Sequence, residues 1–211
     1  MLEAIGLGCV RGGRQLFADT GFSVAAGQLL RITGANGSGK TSLLRILCGL
    51  LTPMDGEVLW NRQDIRELRE EYHRTLTYVG HLNGLKDDMT PHENLEVAST
   101  LAGQPAGHAA RLDALAGFGL KHCADLPARN LSQGQRRRIA LARLALPGQS
   151  RIWILDEPFT ALDADAVAHL SHIITVHAAA GGMVIFTTHM EVAIAAASIA
   201  LVNLDQQADR A

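Results

Sequence analysis

The clearest pattern along the chain is a set of short apolar runs that stop abruptly at polar or glycine-rich segments. Leu29 to Thr33 ends at Gly34 and predicts a buried strand feeding into a loop. A helix is expected next, from Lys40 to about Leu50. Leu43, Leu44, Leu47 and Leu51 form its stripe, and Pro53 with Asp55-Gly56 ends it in a turn. Glu57 to Trp60 and Leu76 to Val79 read as strands of a smaller sheet. Thr90-Pro91-His92-Glu93 has the form of a capping box with proline at the first helical position, which starts a helix through Asn94, Leu95, Val97 and Leu101. Ala102 to Gly107 predicts a loop, and Leu112, Leu115 and Phe118 another short helix. From Gln135 a helix carries Ile139, Ala142 and Leu146 on one face and stops at Pro147. Ile152 to Leu155 and Met183 to Thr188 are further buried strands.

Together these elements predict an α/β protein: one domain over residues 1–211, with a helical lobe at about 88–147 inserted into its core. Composition agrees, since 47% of the 211 residues are hydrophobic while only 4% are aromatic, leaving the core to aliphatic side chains. A net charge of -2 gives no general drive towards nucleic acid. Cys9, Cys48 and Cys123 are widely spaced, which disfavours a disulfide framework or a zinc site and fits a reducing cytoplasm. Met1 to Gly8 lacks a secretory pattern, and the longest apolar tract, Val192 to Val202, is too short to span a bilayer. Any membrane role is therefore expected to be peripheral.

The candidate chemistry lies where the strands end. Gly34-Ala35-Asn36-Gly37-Ser38-Gly39-Lys40-Thr41 matches the phosphate-loop pattern between a strand and a helix, with Ser42 next to it. Its glycines let backbone N–H groups turn towards a β-phosphate, Lys40 supplies charge to the β- and γ-phosphates, and the Thr41 hydroxyl is a ligand for Mg²⁺. Asp156 and Glu157 end a buried strand, where α/β sheets place ligands. Asp156 is expected to hold Mg²⁺ through water, and Glu157 to take a proton from the attacking water. His189 ends the last apolar strand and is placed to contact the γ-phosphate. Leu131-Ser132-Gln133-Gly134-Gln135 combines a hydroxyl, a flexible glycine and a helix start into an anion receptor. His169, His172 and His177 share a helix, where solvated polar positions explain them as simply as metal ligands.

The order of these segments resembles that of ATP-binding cassette (ABC) ATPases over nearly the whole chain. Gly34 to Thr41 resembles the Walker A motif, Leu131 to Gln135 the family signature, Ile152 to Glu157 the Walker B strand with its catalytic glutamate, Ala161-Leu162-Asp163 the D-loop, and His189 the switch histidine. The resemblance implies a P-loop core with a small antiparallel β subdomain and an inserted helical subdomain, using ATP and Mg²⁺. It further implies a homodimer in which Leu131 to Gln135 of one copy meet the ATP held by the other.

Two positions depart from the family pattern. His81 follows Tyr78-Val79-Gly80 where the family usually has a glutamine that meets Mg²⁺, and imidazole can donate, accept or coordinate there. Arg11 stands where an adenine-stacking aromatic is common, and a guanidinium plane can also stack. Gly80 to Lys86, Thr90 to Leu95 and the arginine-rich segment after Gln135 are similar to the ATP-binding subunits of haem exporters in bacterial cytochrome c maturation. That resemblance implies integral membrane partner subunits, a peripheral place on the cytoplasmic face of the inner membrane, and no direct haem binding by this chain. An ATPase of another small-substrate exporter, a soluble ABC ATPase acting on ribosomes or DNA, and a low-turnover regulatory subunit are the competing expectations.

Overall fold

The computed structural model describes residues 1–148, 150–195 and 198–205. Residues 196 and 197 of the apolar tract, and the final six residues, lie outside them. Two long strands open the chain, β1 (Leu2–Arg11) and β2 (Arg14–Val24), followed by β3 (Leu29–Thr33), α1 (Lys40–Leu47), β4 (Asp55–Trp60), β5 (Gln63–Asp64), α2 (Arg69–Arg74) and β6 (Leu76–Val79). Helices α3 (Pro91–Leu101), α4 (His108–Gly117) and α5 (Gln133–Ala142) come next, then β7 (Ile152–Leu155), α6 (Ala164–Ala179), β8 (Met183–Thr187) and β9 (Ile199–Asn203).

These strands form two sheets, an antiparallel one ordered β2-β1-β4-β5 and a parallel one ordered β6-β7-β8-β3-β9. Every residue of β7 and β8 is buried, because both faces of the parallel sheet are covered. Side chains alternate between two cores. Trp153, Leu155, Val184 and Phe186 pack with Leu95, Leu115, Phe118 and Ile139 of the helical segment and with Leu170 and Ile174 of α6. Ile152, Ile154, Met183 and Ile185 face the other way, against Leu43, Leu44 and Leu47 of α1 and Leu2, Leu7 and Phe17 of the antiparallel sheet.

Three expectations are corrected. Leu76–Val79 belongs to the parallel sheet, paired with Ile152–Leu155, rather than to the smaller one. Four half-apolar residues do not reveal which neighbour they pair with; the preceding helix α2 carries the chain across to β7. Asp55-Gly56 opens strand β4 instead of forming a turn. Gly56 sits where β1 shifts register, with φ +80°, and a Cβ there would stand 2.3 Å from the Ile5 carbonyl oxygen. Helix α5 starts at Gln133, two residues early, because Ser132 caps it: its Oγ accepts from the Gln135 N–H at 3.2 Å while Gln135 Oε1 accepts from the Ser132 N–H at 2.9 Å. The box foreseen at Thr90 and Glu93 forms in the same way at α3.

Two of the three α6 histidines are packing groups instead of solvated ones. His169 meets the Phe118 ring edge-on, and His177 lies flat on Trp153 with ring centroids 3.7 Å apart. Burial lowers the His177 pKa from 6.5 to about 4, with the backbone at Arg151 and Met183 opposing the shift. Neutral His177 therefore contributes its stability fully above about pH 6.5 and loses it as pH falls towards about 4. Thermal melts of His177→Phe should fall less across that window than those of the wild type, by roughly 3–6 °C after allowing for partial exposure. Parallel melting curves would show that His177 is not a source of acid lability.

Candidate active site

The phosphate loop is wrapped between β3 and α1 and supported from below by β2. Gly39 has φ +101°, and a Cβ on it would stand 2.9 Å from the Phe17 ring, so glycine is required for the loop to sit against β2. Lys40 Nζ donates to the carbonyl oxygens of Gly34 at 2.7 Å and Ala35 at 3.0 Å, which folds its stem back over the loop. The Ala35 N–H is held by both carboxylate oxygens of Asp205, at 2.9 and 3.0 Å, just past β9. Ser38 Oγ is buried without a hydrogen-bond partner.

Asp156, only 2% exposed, ties the loop to the strand ends. Its Oδ2 accepts from Thr41 Oγ1 at 2.8 Å, and its Oδ1 accepts from Thr187 Oγ1 at 2.9 Å. Thr187 Oγ1 in turn accepts from the Glu157 N–H at 2.8 Å. Glu157 Oε1 is buried with no hydrogen-bond partner, and the imidazole Nε2 of His189 lies 3.4 Å away, close enough for ion pairing but long for a hydrogen bond. The His189 segment is steadied from β3, where Arg31 donates to the carbonyl oxygens of Thr188 at 3.4 Å and Met190 at 3.2 Å.

Asn36, Gly37, Gly39, Lys40, Thr41, Ser42, His81, Asp156, Glu157 and His189 all border one cavity of about 460 Å³. Gly34, Ala35 and Ser38 complete the loop behind them. Leu16, Thr160 and Met190 also line the cavity, although no sequence pattern singles them out. Arg11 does not line it: it is exposed at the tip of the β1–β2 hairpin, opposite Arg14. Burial raises the pKa of the nearby Cys9 thiol, opposed by the Arg11 charge and by a hydrogen bond with Ser42.

Leu131 to Gln135 stand apart from this cavity. Ser132 and Gln133 are exposed, while Gly134 packs so closely on the Ala161 carbonyl that a Cβ would stand 3.1 Å from it. Asp163 caps α6 by accepting from the Ala166 N–H at 2.9 Å, and pairs with Arg138 at 3.4 Å. Three successive arginines thus fan out from α5. Arg136 pairs with Asp87, Arg138 with Asp163, and Arg137 turns inward to the carbonyl oxygens of Gly80, Asp156 and Glu157. The sequence does not mark Arg137 as a site residue, because Arg136 and Arg138 make it look like part of a surface charge run. Six residues further, the half-buried Arg143 donates to the Tyr78 carbonyl, and burial lowers its pKa to about 10.

The sequence pattern of ABC transporters matches residues 17–160. The chain is 54% identical over 191 residues to the cytochrome c biogenesis ATP-binding export protein CcmA of Aromatoleum aromaticum, covering 90% of this chain and 89% of that protein. It is 51% identical to the protein of the same name from Nitrosomonas europaea, covering 94% and 93%. A bacterial ABC transporter cassette solved as a dimer superposes with a TM-score of 0.78 at 24% identity, over 97% of this chain and 95% of that one. With its phosphate loop, acidic strand end and capped signature helix in this arrangement, the chain belongs to the ABC transporter family, among its cytochrome c biogenesis ATP-binding export proteins.

Proposed function

We propose that this chain is the ATP-hydrolysing subunit of a haem exporter serving c-type cytochrome biogenesis, acting on integral membrane partners from the cytoplasmic face of the bacterial inner membrane. The observation that carries the reading is the convergence of Lys40, Thr41, Asp156, Glu157 and His189 on one cavity, in a chain so similar to cytochrome c biogenesis export proteins. No helix among the described residues is long and apolar enough to cross a membrane, in keeping with a peripheral subunit that borrows its membrane spans from partners.

In this reading the ATP phosphates lie along the loop from Gly34 to Thr41 and Ser42, with Lys40 swinging from its carbonyl contacts onto the β- and γ-phosphates. Thr41 Oγ1 and Asp156 Oδ2 are hard oxygen donors 2.8 Å apart beside the cavity that His81 also lines, a set that would suit Mg²⁺. Mg²⁺ held by these residues would supply positive charge to the phosphates. The unpartnered Glu157 Oε1 accepts a proton from water as the water oxygen bonds to the γ-phosphorus. The bond from that phosphorus to the ADP oxygen breaks, and His189 donates to the γ-phosphate oxygens. By the family resemblance Arg11, exposed at its hairpin tip, would stack on the adenine.

Ser132 is exposed and absent from its own chain's cavity, which supports its serving the nucleotide of a second copy in a two-fold dimer. Its Oγ spends an acceptor on the cap, leaving the hydroxyl proton and the first helical N–H groups for a phosphate. Ala161, packed beside Gly134, and Asp163, paired with Arg138, would cross the same interface.

Glu157→Gln keeps the shape of the site and removes the proton acceptor, so turnover should drop by about two orders of magnitude or more while ATP binding persists and the dimer accumulates. Normal hydrolysis by that variant would remove Glu157 from the role of base. At the level of the cell, deleting the chain should abolish holocytochrome c formation, and integral membrane subunits should co-purify with it. Normal cytochrome c maturation without it would assign the ATPase to another small-substrate exporter.

A further inference from the structure

The backbone of Glu157 is in the left-handed region, with φ +48°. For a residue with a Cβ that conformation is strained, and persists only where the surroundings impose it. Two contacts do so. Thr187 Oγ1 accepts the Glu157 N–H at 2.8 Å, and Arg137 Nη2 donates to the Glu157 carbonyl at 2.9 Å. Both ends of the residue are therefore clamped, although its carboxylate is not.

Arg137 does more than hold one peptide. The same Nη2 donates to the Asp156 carbonyl at 2.8 Å, and Nη1 donates to the Gly80 carbonyl at 2.8 Å and to Asn83 Oδ1 at 3.3 Å. The side chain is 6% exposed, so these bonds do not compete freely with water. Burial lowers the pKa of its guanidinium, and the negative charges of Asp156 and Glu157 offset that penalty only in part. A planar guanidinium is the one side chain that reaches four acceptors on two segments from a single stem. Gly80 directly precedes His81, and Arg137 lies five residues beyond Ser132 on α5.

We propose that Arg137 is a positioning residue for hydrolysis, fixing the strained Glu157 peptide and the peptide before His81 as one rigid unit. The assignment rests on Glu157 being the base. Through this clamp the helix capped by Ser132 sets where the Glu157 carboxylate and His81 stand relative to the reacting atoms. The nucleotide itself is held by the phosphate loop, which Arg137 does not touch. Loss of the clamp should therefore slow turnover without weakening ATP binding.

The test compares Arg137→Lys and Arg137→Gln with wild type and Glu157→Gln, measuring steady-state ATPase rates, ATP dissociation constants and melting temperatures. Lysine keeps the stem and charge but cannot bridge both segments. The expected result is a kcat lowered at least roughly fivefold by lysine and more by glutamine, up to the order of a hundredfold that misplacement by about an ångström can cost. ATP dissociation constants should stay within about threefold of wild type, as expected when only the chemical step loses stabilisation. A wild-type kcat in Arg137→Lys, or affinity falling in step with rate, would overturn the proposal. If Arg137→Gln does not fold, Arg137→Lys decides alone. Should Glu157→Gln hydrolyse ATP normally, the base assignment and this clamp fall together; if Glu157→Gln is inactive while Arg137→Lys runs at full rate, only the clamp fails.

Discussion

The carboxylate of Asp156 is the contact on which the rest of the site depends. A group 2% exposed loses most of its hydration and is tolerated only with compensating donors. Those donors are Thr41 at the start of α1 and Thr187 at the end of β8, so one carboxylate joins the phosphate loop to the neighbouring strand end. Its backbone extends the joint: the Asp156 N–H donates to the Val79 carbonyl at 2.8 Å, and the Asp156 carbonyl accepts from Arg137 on α5. Elements scattered over more than a hundred residues of sequence meet at a single side chain and its own peptide.

The two-faced parallel sheet makes that meeting possible. Because β7 and β8 are buried on both sides, their carboxyl ends are fixed in space, and the polar residues that follow are delivered to the same edge. The helical segment α3 to α5 packs on one face through Leu95, Leu115 and Ile139, and α1 on the other through Leu43, Leu44 and Leu47. The arginine fan on α5 then ties the helical segment back to the loop after β6, the acidic strand end and the α6 cap. Rigid core and polar edge are thus connected by charge-assisted hydrogen bonds to carbonyl groups and by pairs with Asp87 and Asp163.

Much of this was legible in the sequence where a pattern is local. Leu29 to Thr33 with the glycine loop, the capping box at Thr90, and the apolar runs before Asp156 and His189 each encode their element within a few residues, and the structure brings the glycine loop, Asp156 and His189 to one cavity. What stayed hidden depends on pairing between distant residues. Strands β1 and β2 carry glycines and register shifts that blur their alternation, so neither Leu16 nor Phe17 signals its place under the phosphate loop. The sheet that Leu76–Val79 joins is hidden for the same reason, since its partner Ile152–Leu155 lies more than seventy residues on. Arg137 and Thr187 escape notice because their partners are mostly backbone carbonyls, an N–H and a carboxylate far away in sequence.

The proposed role of Asp156 is to join Mg²⁺ to the phosphate loop, and ATP binding with and without Mg²⁺ tests it most directly. Asp156→Asn preserves the side-chain shape while removing the charge. Measured dissociation constants should show Mg²⁺ tightening ATP binding by roughly tenfold or more in wild type and hardly at all in the variant, with metal-free affinities within about threefold of each other. An undiminished Mg²⁺ effect in Asp156→Asn would contradict the account.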